Sequence, residues 1–205
     1  MPNPSIDRLF PSRGAAAVIA LALLALSMLA TRYHHFSSAL HLADTSWAVF
    51  FLAGLWFRSV RVLGGLLVLA VLIDLGSILI DGAAMASCFS PAYPGVLLAY
   101  AALWGAGRLA GKQVAAHASA TPMSALMAIA VALVGGVVTA FGISNVTFFA
   151  FSGQFETMSA TDYAASVAPY LGGYLGTAAA YTALGVAALA ASQLMRDSVR
   201  QRRHV

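Results

Sequence analysis

Cys88 is the single cysteine in a chain of 205 residues. It stands in the stretch from Asp81 to Gly95, among Ser87, Ser90, Pro91, Tyr93 and Pro94 and between two apolar runs. A lone thiol has no intramolecular disulfide partner, so its presence needs another reason or none. Three readings of the residues stand. It is a buried apolar thiol, although serines and prolines are unusual company for one. It is lipidated, although the preceding Met85, Ala86 and Ser87 lie inside the chain and lack the preferred branched residue. Or it is a soft ligand for a transition metal, because the amino end of the following helix favours a thiolate.

The other residues that could do chemistry fall in two places. His34 and His35 are either metal ligands or interfacial surface. His41 and Asp44 follow at a spacing of three, which puts them one turn apart if a helix starts near Ser37 or Ser38; Asp44 could equally cap that helix. Asp74, Ser77 and Asp81 recur at spacings of three and four. Asp74 lies about 10 Å below the end of its helix, seven residues at 1.5 Å each. An ionisable group at that depth either lines a cavity or bonds to a neighbouring helix.

The elements that must position these residues are membrane helices. The chain is 60% hydrophobic and 9% charged, against roughly 25% charged in a soluble domain. Its apolar runs approach the ~20 residues that span a hydrocarbon core, and no polar segment between them is long enough to fold alone. The reading is a single all-α integral-membrane domain over residues 1–205 with six transmembrane helices. The first runs from Gly14 to Thr31, with small residues at Ala16, Ala17, Ala20 and Ala25 that permit close packing. The second ends at Phe57, and the third runs from Val62 to about Ile80. The fourth opens at Ser90 and Pro91, a cap and a first-turn proline, and ends at Gly107. The fifth covers Met123 to about Ile143 and exits through Ser144, Asn145 and Thr147. The sixth covers Asp162 to Met195, with Gly172, Gly176 and Ala180 on one face and Tyr170, Tyr174, Thr177 and Tyr181 on another.

Charge fixes the expected orientation. With both termini in the cytoplasm, Arg8, Arg13, Arg58, Arg61, Arg108, Lys112 and the basic tail from Arg196 lie inside, and only Arg32 lies outside. The outer loops then hold His34, His35, His41, Asp44, Cys88, Tyr93, Asn145, Gln154, Glu156 and Asp162. The chemistry faces outward. The net charge of +4 is accordingly topology and not a nucleic-acid stripe. The first apolar run ends in a poor signal-cleavage site and reads as a retained helix. Lys112 is followed by Gln113, so there is no phosphate-binding loop and no ATP site. One cysteine excludes a dithiol relay, and the histidine placement gives no evident haem pair.

The run Arg32 to Phe36, the run Asp44 to Gly54, the Asp74 helix and the segment from Cys88 to Pro94 together resemble the BtuM-type bacterial vitamin B12 uptake proteins. These are solitary relatives of the substrate-binding S components of energy-coupling-factor (ECF) transporters. The resemblance implies an S-component-like bundle in the cytoplasmic (inner) membrane, with its site toward the periplasm or exterior. It implies cobalamin as substrate, with Cys88 as axial ligand to cobalt and a promoter of cyanide loss from cyanocobalamin. Asp74, Tyr93, His41, Asp44, Phe89, His34 and Tyr170 are the expected pocket residues. The small-residue face of the first helix resembles the surface on which S components meet their coupling subunit, which makes an ECF module a candidate partner. Two other functions stay open: a permease for free divalent metal using His34, His35, His41, Asp44 and Cys88, and a membrane enzyme with Cys88 as nucleophile and His41 as base.

Overall fold

The computed structural model describes residues 6, 8–12, 14–32, 43–57, 59–81, 90–116 and 121–202. All regular structure among them is helical: α1 (Ala15–Arg32), α2 (Ser46–Trp56), α3 (Val60–Asp81), α4 (Tyr93–Ala116), α5 (Pro122–Phe151), α6 (Ala160–Val167) and α7 (Leu171–Arg202). A 3-10 turn, Ala168–Tyr170, joins α6 to α7 without a loop, so the described chain makes six helical passes. Four of these, Ala15–Arg32, Val60–Ile80, Pro122–Phe151 and Ala160–Arg196, are long and apolar enough to cross a membrane. The protein is a helical membrane protein.

The exception in length is α2, with 11 residues, a rise of only about 17 Å. The expected start near Ser37 or Ser38 is not observed: helix begins at Ser46, and Ala43 to Thr45 are non-helical. Irregular backbone is tolerated at such depth where protein covers it and satisfies its polar groups. The Thr45 amide donates to Thr31 Oγ1 at 3.0 Å, and the Ala43 carbonyl accepts from the Tyr181 hydroxyl at 3.1 Å. The short helix is the centre of the bundle. Every residue of α2 from Ala48 to Leu55 is buried, because α1, α4 and α7 pack around it.

Glycine sets how closely α4 approaches. A Cβ at Gly54 of α2 would strike the Trp104 carbonyl oxygen, and one at Gly107 of α4 would strike that of Phe51. One turn on, a Cβ at Gly111 would lie 2.7 Å from the Leu55 carbonyl oxygen. The backbones therefore touch across three glycines, the close approach that small residues allow in membrane bundles. This contact also corrects the expected end of the fourth helix. It does not stop at Gly107 but continues to Ala116, because Gly107 and Gly111 serve as interface and not as a terminus.

The fifth helix likewise outruns its expected end near Ile143 and reaches Phe151. Its polar residues bond within the helix and create no break. Ser144 Oγ and Asn145 Nδ2 donate to the Phe141 carbonyl at 3.1 and 2.9 Å, and Thr147 Oγ1 donates to that of Ile143 at 2.8 Å, the local back-bonding that polar side chains use in helices. Thr121 caps the start by accepting from the Ser124 amide at 3.2 Å, with Pro122 in the first turn. The sixth pass starts at Ala160, two residues before the expected Asp162, behind a Ser159 cap. Gly172 and Gly176, expected on a packing face, have open space where a Cβ would sit.

The two ends of the described chain meet at one end of the bundle. Trp56 Nε1 donates to the Leu9 carbonyl at 3.0 Å, and Gln193 Nε2 donates to that of Phe10. Arg32 at the end of α1, Ser46 at the start of α2 and, through Asp74 of α3, Tyr93 at the start of α4 meet at another end of the bundle.

Candidate functional site

Arg32 is the last residue of α1, with a side chain only 11% exposed. Five N–H donors in a rigid fork suit a guanidinium to a crowded helix junction. Nε donates to Asp74 Oδ1 and Nη2 to Asp74 Oδ2, both at 2.6 Å. Nη1 donates to Ser46 Oγ at 3.2 Å and to the Tyr100 hydroxyl, and it stands 3.5 Å from Asp44 Oδ2. One cation thus ties α1 to α2, α3 and α4. The guanidinium carbon also lies 5.3 Å from the Tyr100 ring centroid, within cation–π range. That ring stacks on Phe50 of α2 at 4.4 Å and 5°.

Asp74 has a second partner. The Tyr93 hydroxyl donates to Asp74 Oδ2 at 2.7 Å, and Tyr93 is the first residue of α4. The carboxylate therefore holds the end of α1 and the start of α4 together. Asp74 thus makes the bond to neighbouring helices that an ionisable group at this position needs.

Asp44 precedes α2 and is not inside it, so the expected helical face shared with His41 is not formed by Asp44. Its Oδ1 accepts from the Ser46 amide at 2.9 Å and from Ser46 Oγ at 2.6 Å, satisfying an orphan donor of the first turn. The side chain stays 41% exposed. Beside it a pocket of about 320 Å³ opens among Asp44, Trp47, Tyr170, Tyr174 and Thr177. Trp47 and Tyr174 form its aromatic wall, their centroids 4.5 Å apart. Tyr170 is 65% exposed at the rim.

A second cluster steadies the turn between α5 and α6. Phe155 packs on Phe148, Phe149 and Tyr163 with centroid distances of 5.5, 6.1 and 4.7 Å, and the Tyr163 hydroxyl donates to Asn145 Oδ1 at 3.1 Å. Gly153, with φ of +71°, makes the tight turn that an L side chain resists.

The structure thus brings together Asp74, Tyr93 and Asp44 around Arg32, and places Tyr170 across the pocket from Asp44. Cys88, Phe89, His34, His35 and His41 lie outside the described residues. Among the described residues, no group of three or more His, Cys, Asp or Glu side chains could hold a metal ion. Sequence reasoning missed Arg32, Ser46 and Tyr100. A signal for the first was present: Arg32 is the one basic residue that breaks the charge asymmetry, and a cation kept at that end against the rule has a local partner. The arrangement is a rigid polar floor with one more carboxylate than cation, walled by aromatics. Such a surface suits an amphipathic guest that donates hydrogen bonds. Compared with known proteins, the chain matches no family model and no curated protein.

Proposed function

We propose that this chain takes up cobalamin or a related corrinoid across the cytoplasmic membrane, as the resemblance to BtuM-type proteins implies. The termini and the basic end of the bundle face the cytoplasm, and the Arg32 end faces the periplasm or exterior. Cys88 ligates cobalt as a thiolate, a soft donor matched to that metal, and promotes loss of cyanide from cyanocobalamin. Asp44, Trp47 and Tyr170 contact the periphery of the corrinoid, together with His34, His41 and Phe89. An ECF module is a candidate source of energy, since the chain has no ATP site of its own.

The observation that carries the reading is the 2.7 Å bond from Tyr93 to Asp74. It anchors the start of α4, and Cys88 precedes Tyr93 by five residues. Covalent reach then keeps the Cys88 Cα within about 18 Å of the Tyr93 Cα, at ~3.6 Å per extended residue. A ligating sulfur needs such a fixed base to select one metal geometry.

The test is the visible spectrum of purified protein incubated with cyanocobalamin. The expected result is one corrinoid per chain with shifted bands that report sulfur ligation, and unshifted bands in Cys88→Ser. Absence of corrinoid absorption in the wild-type protein, or the same shifted bands in Cys88→Ser, overturns the proposal. Binding of cobalt or nickel salts without any corrin would favour a permease for free metal instead.

A further inference from the structure

Along the side of the bundle formed by α1 and α7 the structure holds a second binding feature. Helices α1 and α7 both pack on α2 but leave a slot between them, with a volume of about 510 Å³. It runs along α1 from Ala16 to Thr31, a length of about 22 Å at 1.5 Å per residue. Its sides are hydrocarbon: Leu23 is 62% and Leu184 is 65% exposed.

The polar groups along the slot are already spent on the chain itself. Thr31 and Thr45 share a hydrogen bond at 2.9 Å, Ser27 donates to the Leu24 carbonyl at 2.9 Å, and Ser192 donates to that of Leu189 at 2.7 Å. The Tyr181 hydroxyl is taken by the Ala43 carbonyl and the Trp56 indole by that of Leu9. Arg196 differs. It lines the same slot at the end where Phe10 and Gln193 meet, and its guanidinium has no hydrogen bond or ion pair to a described residue. A guest therefore meets apolar surface along its length and one cation at its end.

We infer that this slot binds a phospholipid, with an acyl chain between α1 and α7 and the phosphate on Arg196. Basic pockets between membrane helices are a recognised way to hold anionic headgroups. A second copy docked slot to slot offers Arg196 no anion, since no residue lining the slot is acidic. A lipid of the leaflet at that end has both the shape and the charge. The phosphate end of the site, at Arg196, lies at the far end of the slot from Thr31 and the neighbouring Arg32 floor.

The test uses the full chain reconstituted in equimolar phosphatidylglycerol and phosphatidylcholine vesicles, then extracted in mild detergent for native mass spectrometry. The expected result is one retained phospholipid per chain, with phosphatidylglycerol favoured about fivefold, the ratio that ~1 kcal/mol per basic residue gives. Arg196→Gln should abolish that preference. Ala188→Phe, which fills the slot from an exposed position of α7, should abolish retention while the melting temperature holds. Ala16→Phe makes the same test from the opposite wall if the first variant does not purify. Wild-type protein that retains no phospholipid, slot-filled variants that retain as much as wild type, or a dimer cross-linked through α1 and α7 would each overturn the assignment.

Discussion

Arg32 and Asp74, 42 residues apart in sequence, close a two-point ion pair with both contacts at 2.6 Å. Paired N–H donors on paired carboxylate oxygens form the strongest geometry open to these groups. The pair sits where four helices converge, so its loss should be felt across that whole end of the bundle.

Asp74→Asn removes the two-point ion pair and leaves the mostly buried Arg32 charge with only the 3.5 Å contact to Asp44, a change that costs up to about 3–5 kcal/mol. Asp44→Asn removes a longer contact to a side chain that is 41% exposed, for which ~1 kcal/mol is the upper expectation. Thermal unfolding in detergent should therefore rank Asp74→Asn well below Asp44→Asn. Equal losses would mean that the Arg32 charge is balanced elsewhere.

Tyr93→Phe deletes one hydrogen bond to a carboxylate and keeps the ring. A loss of about 1.5 kcal/mol is expected from such bonds. If the start of α4 sets the position of Cys88, the same variant should also reduce the sulfur-ligated fraction in the corrinoid spectrum. A spectrum identical to wild type, alongside the predicted loss of stability, would confine Tyr93 to the scaffold.

Two glycines two residues apart, on opposite faces of α4, should respond in opposite ways. A Cβ at Gly107 collides with backbone of α2, whereas one at Gly105 meets nothing within 4 Å. Gly107→Ala should prevent the close contact and cost at least the ~1–3 kcal/mol of an overpacked core, read as loss of folded protein in size-exclusion chromatography. Gly105→Ala should be neutral or gain up to about 1 kcal/mol from reduced backbone entropy of the unfolded chain.

Because the chain has one cysteine, thiol labelling reports one position without background. An impermeant maleimide applied to intact spheroplasts should label Cys88, and cobalamin should protect it. Labelling that requires permeabilised membranes would reverse the proposed orientation.

Composition and apolar run length were enough to show a helical membrane protein, the number of helical segments and most of their starts, because each depends on local chemistry alone. Transfer of a ~20-residue apolar run into lipid is favourable whatever its neighbours are. The threonine cap and proline at the start of α5 and the serine before α6 act within one turn. The ends of α4 and α5 were less legible. Gly107 and Ser144 read as breaks until their surroundings are known, one a backbone contact with α2 and the other a side chain bonded to its own helix. The start of α2 depended on Thr31 and Tyr181, which satisfy the non-helical residues before it from two other helices.

The pairing of Asp74 lay beyond any local pattern. Its partners, Arg32 and Tyr93, stand 42 residues before it and 19 after it, and only the packing of α1, α3 and α4 around α2 brings them into reach. Sequence alone marked Asp74 as an expensive charge in need of a partner. Tertiary structure decided which partner, because in a low-dielectric interior the answer depends on distances of a few ångströms between helices.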